Sequence, residues 1–229
     1  RITAYLNLVN QIVTDKFEKM KKAEYSEGSE LKKYFDLLPE YSILKKDFSN
    51  LIDGNVNKDD MQTWLNKNLV MGSIDVNIMT KLDRATYIKK EQLPFQYNDG
   101  HSAVRGFANS ELNSSVVLSA GINPRLYSYF ENFKDFYPDK NNFLKKKIIL
   151  KISDYRSAII QGKIFAKKGL WVSEYRLESG LNCGGHAFAT DGFLMGPILE
   201  ELKRNKESLI AMTHSIFVQA LKEKNLYAP

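Results

Sequence analysis

The 229-residue sequence holds a single cysteine, Cys183, so no intramolecular disulfide can staple the fold. A disulfide framework is excluded, and a reducing compartment, by default the cytoplasm, is the expected location. No apolar run approaches the roughly 18 residues that span a bilayer, and residues 1–15 lack the layout of a secretion signal. No membrane partner is expected. Charge of one sign is also in short supply: 33 Lys and Arg against 27 Asp and Glu leave +6, spread mostly as doublets such as Lys21-Lys22 and Lys167-Lys168. The one block of three, Lys145-Lys146-Lys147, has no interleaved aromatics, so no nucleic-acid partner is expected. Three scattered histidines, His101, His186 and His214, do not make a metal site with one cysteine. Rossmann and Walker loops are absent, since Gly192 and Gly196 flank Phe193-Leu194-Met195 with no Lys-Ser/Thr pair.

With 43% hydrophobic and 26% charged residues, the chain has the composition of a packed globular protein. Residues 1 to about 70 read as helical throughout. Ile2, Leu6, Val9, Val13, Phe17 and Met20 recur every three or four residues, the stripe of a long first helix. Further helical patterns cover 29–38, 41–53 and 58–69. Asp53, Asn55, Asn57 and Asp59 alternate like calcium ligands, but Lys58 and Trp64 stand where the loop needs Gly and Glu, so the segment reads as a helix connection.

From residue 73 the texture changes to short apolar runs. Three are strand-like, 74–79, 116–119 and 148–152, and a fourth is Trp171-Val172-Ser173. Helical patterns follow at 123–133, 155–167 and 193–203. Alternation of this kind predicts a mixed α/β fold with a parallel sheet of βα units. A short run at 209–212 precedes a last helical stretch at 216–224. The conspicuous aromatic group Tyr127, Tyr129, Phe130, Phe133, Phe136 and Tyr137 reads as core. The 73–229 region has room for about five units, whereas a closed eightfold barrel takes about 250 residues. The expected organisation is therefore a helical region or insertion, 1–72, and a βα region, 73–229, that is either an open α/β sheet or part of a larger barrel. Since the sequence begins with Arg1, it reads as a segment of something longer, to be completed by the rest of the polypeptide or by a partner chain.

The chemistry concentrates in Glu174–Thr190, EYRLESGLNCGGHAFAT, directly after the fourth strand. Ligands of parallel α/β proteins sit at the carboxyl ends of strands. Gly180, Gly184 and Gly185 let backbone N–H groups approach a ligand closely, and His186 is a base that exchanges protons near neutral pH. The same residues also suit a tight turn with a hydrogen-bonded structural histidine. Cys183 is either a nucleophilic thiol near His186 or an incidental buried one.

ESG followed by GGH resembles the Glu-(Ala/Ser)-Gly-Gly-His loop of the nitronate monooxygenase (2-nitropropane dioxygenase) family, which includes the flavin-dependent enoyl thioester reductases. The likeness extends to KKIILKISDYRSAIIQGKIFAKKGLWVSEY and VVLSAGINPRLYSYF upstream, to IDVNIMTK before those, and to ATDGFLMGPILEELK downstream, about residues 73–204 in all. Relative to the family loop, Leu181, Asn182 and Cys183 are an insertion.

The resemblance implies a TIM-barrel-like FMN-dependent oxidoreductase. His186 would be its proton-abstracting residue, with Asn77, Lys151, Gly184 and Gly185 at the cofactor. A turn cap at Asn77 and a solvent-edge position for Lys151 stand as alternatives beside the flavin roles. The family's phosphate-holding strand ends lie beyond the stretch matched here, so FMN is expected to be bound by the complete protein. The expected substrate is a small molecule with an acidic proton beside an electron-withdrawing group. Reduction of an enoyl thioester is the alternative reaction. A non-catalytic module docking through the N-terminal helices is the alternative class.

Overall fold

The computed structural model describes residues 1–79, 83–119, 121–178 and 195–227. Contacts divide the chain into two units, Arg1–Leu6 with Ser73–Pro229, and Asn7–Gly72. The first helix, α1 (Ile2–Lys21), contributes its opening turn to one unit and the rest to the other.

In the Asn7–Gly72 unit, α1 is followed by α2 (Glu30–Asp36), α3 (Ile43–Asp53) and α4 (Lys58–Asn68). Each of these three is started by a side chain that satisfies an otherwise orphaned amide: Ser29 accepts from Lys32 N, Ser42 from Lys45 N and Asn57 from Asp60 N. The calcium-like stretch is thus a helix stop and start, with Asn55 at φ 49° and Asn57 as the cap. Leu31, Phe35, Phe48, Leu65 and Leu69 form the core, joined by Phe17 and Met20 of α1. The Phe35 and Phe48 rings stack with centroids 3.6 Å apart. Full burial of residues of this kind stabilises by roughly 1.5–3 kcal/mol each.

The other unit carries a four-stranded parallel sheet, β1 (Val76–Ile78), β4 (Ser114–Leu118), β5 (Lys146–Ile152) and β6 (Val172–Leu177), in that spatial order. A small antiparallel hairpin, β2 (Tyr87–Ile88) with β3 (Glu91–Gln92), lies outside it. Between the sheet strands run α5 (Asp99–Ala108), α6 (Pro124–Tyr129) and α7 (Tyr155–Ala166), and α8 (Met195–Glu223) follows β6. The fold is mixed α/β with eight α-helices among the described residues. Four parallel strands in sequence order are present there; a closed barrel is not.

Alternation along the strands separates two faces. Ile78, Val116, Leu118, Ile148, Leu150, Ile152 and Val172 join helix residues such as Val104, Phe107, Leu126, Phe165 and Leu209 in one apolar cluster. Leu6 and the aromatics Tyr127, Phe130 and Phe136 belong to the same cluster, as expected of core residues.

Three sequence expectations need correction. Run 209–212 is not a separate element but the middle of the 29-residue α8, because no glycine or proline interrupts the pattern after Pro197 and Leu209, Thr213, Phe217, Ala220 and Leu221 bury one stripe. The fourth strand runs to Leu177 instead of stopping at Ser173. Helix α5 had no counterpart in the reading. It carries Gly100 and Gly106, where an added Cβ would lie 3.1 Å from Asp83 Oδ1 and 2.4 Å from Ile2 Cγ2, so both glycines permit close packing.

The amino end of β5 holds a buried cation. Lys146 is 1% exposed and donates to Ser110 O and Ser110 Oγ, both at 3.0 Å, and to Leu112 O. Its Nζ also lies 4.5 Å from the Phe107 ring centre. Burial pulls the ammonium pKa down from 10.5 to about 8. Between those values the unfolded chain binds more protons, so stability rises with pH across that window, at up to about 1.4 kcal/mol per pH unit. In urea titrations the stability of the protein relative to Lys146→Met should therefore increase from pH 8 to 10. A difference that stays flat would mean that the carbonyl contacts keep the amine fully charged.

Candidate functional site

The face of the sheet opposite the apolar cluster has a different composition. The register aligns Asn77, Val117, Ile149 and Glu174 in one row, and Lys151 with Arg176 further toward the carboxyl ends. Lys147 precedes Ile149 by one pleat repeat and Asp75 precedes Asn77 in the same way, so both belong to this face. Val117 and Ile149 are buried, whereas Asn77, Lys147 and Glu174 are exposed. The register shift opposite Ile148 and Ile149 keeps the face polar on β6: with Ser173 as the extra residue, Glu174 and Arg176 align with the polar-face residues Ile149 and Lys151.

Two ion pairs organise this face. Lys151 Nζ lies 2.6 Å from Glu178 Oε1, both side chains being largely covered. The Glu178 amide donates to Ile152 O at 2.9 Å, so the residue that follows β6 is tied to β5 at two points. Arg176 Nη2 lies 3.3 Å from Asp75 Oδ2, and Asp75 Oδ1 accepts from Ser115 N at 3.2 Å. Asp75 adjoins one edge strand and Arg176 sits on the other. Three strand spacings of about 4.8 Å would hold those edges about 14 Å apart in a flat sheet. The register also sets them four residues apart along the strands, so the sheet twists and bends enough to bring this diagonal within reach of one arginine and one aspartate. Glu174 also engages Arg176, which raises the guanidinium pKa, chiefly through that hydrogen bond.

A cavity of about 270 Å³ opens beside Lys151 at the carboxyl ends of β4 and β5, bounded by Gly121, Ile122, Ser153, Asp154 and Arg156. The capping box of α7 closes one side: Asp154 accepts from Ser157 N at 2.6 Å, and Ser157 Oγ accepts from Asp154 N. Tyr127 underlies the preceding loop, donating to Gln161 Oε1 at 2.8 Å. Burial raises the Tyr127 pKa, which keeps the hydroxyl protonated.

Of the residues singled out from the sequence, Asn77 and Lys151 stand on this one face, two strands apart, about 10 Å across the sheet. Asn77 is in the middle of its three-residue strand, with its side chain exposed. Lys151 is paired, not on a solvent edge. His186, Gly184, Gly185 and Cys183 lie outside the described residues.

A second polar group was not foreseen. His101 is fully buried at the start of α5, with Nδ1 2.7 Å from Asp83 Oδ2. That oxygen lies off the ring N–H direction, and neither ring nitrogen makes a hydrogen bond among the described residues. Asp83 Oδ1 accepts from the Gly100 and His101 amides at 3.0 and 3.3 Å, capping the helix, and Phe95 and Tyr129 pack on the imidazole. The arrangement is that of a structural histidine. The signal that could have found it is Asp-Gly-His at 99–101, a helix start with a nearby acid. His214 lies beside Trp171 and Phe217.

Among the described residues no three His, Cys, Asp or Glu side chains converge as metal ligands, and no helix is long and apolar enough to cross a membrane. Comparison with known proteins found no matching family model, no matching curated protein and no matching solved structure.

The Lys151–Glu178 pair is testable as an interaction. A double-mutant cycle with Lys151→Met and Glu178→Gln should give a coupling of about 1 kcal/mol, reduced in 1 M salt. A coupling within about 0.3 kcal/mol of zero would show that the contact does not hold the two segments together.

Proposed function

We propose that this chain supplies part of a TIM-barrel-like FMN-dependent oxidoreductase of the nitronate monooxygenase type, acting on a small molecule with an acidic C–H bond. The observation that carries the proposal is the polar face of the sheet that Asn77 and Lys151 share. The segment bearing Gly184, Gly185 and His186 begins directly after Glu178, which is anchored to Lys151. Sequential order and curvature support the barrel-like reading, because tilted strands that close on themselves bring diagonal positions such as Asp75 and Arg176 together.

The polar groups fit an isoalloxazine edge. An exposed carboxamide at Asn77 both donates and accepts, and the Lys151 ammonium donates while Glu178 limits its net charge. FMN bound there would supply the electron sink for a substrate carbanion. The chain's own contributions are simpler. Asn77 would orient the bound ring and Lys151 would add a cation close to it. His186 would take the proton from the carbon next to the electron-withdrawing group, through whichever ring nitrogen is unprotonated at neutral pH. The paired glycines would give backbone amides close access to the ligand.

The polypeptide containing residues 1–229, expressed whole, should purify yellow or take up added FMN with a saturable absorbance change. A protein that stays colourless with excess FMN would remove the cofactor and turn the reading toward a docking module. With a neutral nitroalkane as substrate, His186→Ala should lower turnover by about 10² to 10⁴-fold with flavin content retained, while Cys183→Ser should change it little. The reverse ranking would indicate thiol chemistry.

A further inference from the structure

The cavity at the carboxyl ends of β4 and β5 lies between two walls. One is the first two turns of α7, where Arg156 and Ile160, and Ser157 and Gln161, stand four residues apart on neighbouring rows of one helix face. The other is the loop after β4, with Gly121 and Ile122. The buried Tyr127 hydroxyl fastens the walls together, shared between Gly121 O at 3.0 Å and Gln161 Oε1 at 2.8 Å.

Gln161 supplies an unpaired donor to this space. It is 3% exposed and lines the cavity. Tyr127 occupies its carbonyl oxygen, and no group among the described residues accepts from its amide nitrogen. Buried polar groups are paired in the great majority of cases, because leaving one unpaired costs the full desolvation of that group. A carboxamide whose oxygen is fixed and whose N–H groups meet only the cavity is a donor presented to whatever enters.

The charges around it select an anion. Asp154 does not answer the amide, since its Oδ1 accepts from Ser157 N at 2.6 Å and its Oδ2 from Ser153 Oγ at 3.0 Å. Its charge is set against the positive end of α7. Of the two cations that line the cavity, Lys151 is paired with Glu178 at 2.6 Å, whereas Arg156 is exposed and has no carboxylate partner among the described residues. A guanidinium fork and an amide N–H₂ share one complement, a planar carboxylate, whose two oxygens take the fork and keep a lone pair for the amide. A phosphate monoester would bring a second negative charge that no further unpaired cation of the cavity meets. Ile122 and Ile160, 48% and 39% exposed, flank the donors and give the ligand an apolar rest.

We propose that this cavity is a binding site for a small organic carboxylate, its carboxyl group held between Arg156 and the Gln161 amide and its aliphatic part against Ile122 and Ile160. The inference goes beyond the flavin reading and does not rest on it, since none of these four residues is assigned to the cofactor.

The test is calorimetric titration of the whole chain, without flavin and at constant ionic strength, with butyrate, butyramide and inorganic phosphate, joined to the NMR signal of the Gln161 side-chain amide. Butyrate should saturate with a Kd of about 1 mM or lower and move that signal. Butyramide, of the same shape without the charge, should bind about tenfold more weakly or worse, and phosphate should not displace butyrate. Arg156→Gln, at an exposed position that tolerates the change, should weaken butyrate about tenfold with the fold intact. Gln161→Glu keeps an acceptor for Tyr127 and replaces the donor by a second oxygen, so it should abolish butyrate binding; should that variant not fold, Arg156→Gln and the amide signal decide. The proposal is overturned if butyrate does not saturate in this range or leaves the Gln161 signal unmoved. It is also overturned if butyramide binds equally well, if phosphate displaces butyrate, or if Arg156→Gln binds butyrate as the parent chain does.

Discussion

Four parallel strands in chain order leave their connecting helices one place to go. A strand–helix–strand crossover is right-handed in nearly all proteins. Three successive crossovers that step in the same direction, β1 to β4 to β5 to β6, therefore lay α5, α6 and α7 on the same side of the sheet. The apolar cluster records the result, since every helix from α5 to α8 contributes to it and the sheet contributes only alternate residues. The division between structural and chemical surface follows from that one constraint.

The opposite face inherits the residues that the helix side cannot take. Burying a charge without a partner costs several kcal/mol, so Asp75, Lys151, Glu174, Arg176 and Glu178 are directed away from the apolar layer and neutralise one another. Their pairing has a geometric consequence, because the diagonal contact between Asp75 and Arg176 requires curvature. With side-chain exposures of 41% for Arg176 and 26% for Asp75, the bridge contributes little to stability. Its significance is positional.

Much of this was legible in the sequence because hydrophobic periodicity changes where the architecture changes. Helices α1 to α4 follow from their apolar spacings of three and four, and the sheet strands were located to within a few residues. The misreadings share a physical cause. In β6, VSEYRL sets Glu174 and Arg176 on the polar face only through the extra residue Ser173, and its charges resemble a loop when no opposing face is known to hold them. In α5, DGHSAVRGFA looks too rich in glycine for a helix until Asp83 and Ile2 are seen in the space those glycines leave. Asn77 and Lys151 were found singly, and their common face became visible only through the register, which depends on pairing between distant segments. Glu178 and Arg176 were passed over because an ion pair across a sheet leaves no local signature.

The strand KKIILKI shows how far position decides the chemistry of identical side chains. Lys146, Lys147 and Lys151 lie within six residues on one strand. Lys146 has the parity of Ile148 and Leu150 and so enters the helix layer, where it persists only because Ser110 and Leu112 present oxygens and Phe107 a ring face. Lys147, one residue on, points to the polar face near the amino end and stays solvated. Lys151 has the parity of Lys147 but lies at the carboxyl end, where Glu178 meets it and a cavity adjoins it. Amino acid type is the same at all three positions. What differs is the face, set by the two-residue period, and the end, set by the parallel direction of the strands. In this sheet the combination of polar face and carboxyl end sets Lys151, and not the buried Lys146, beside a cavity that a ligand could enter.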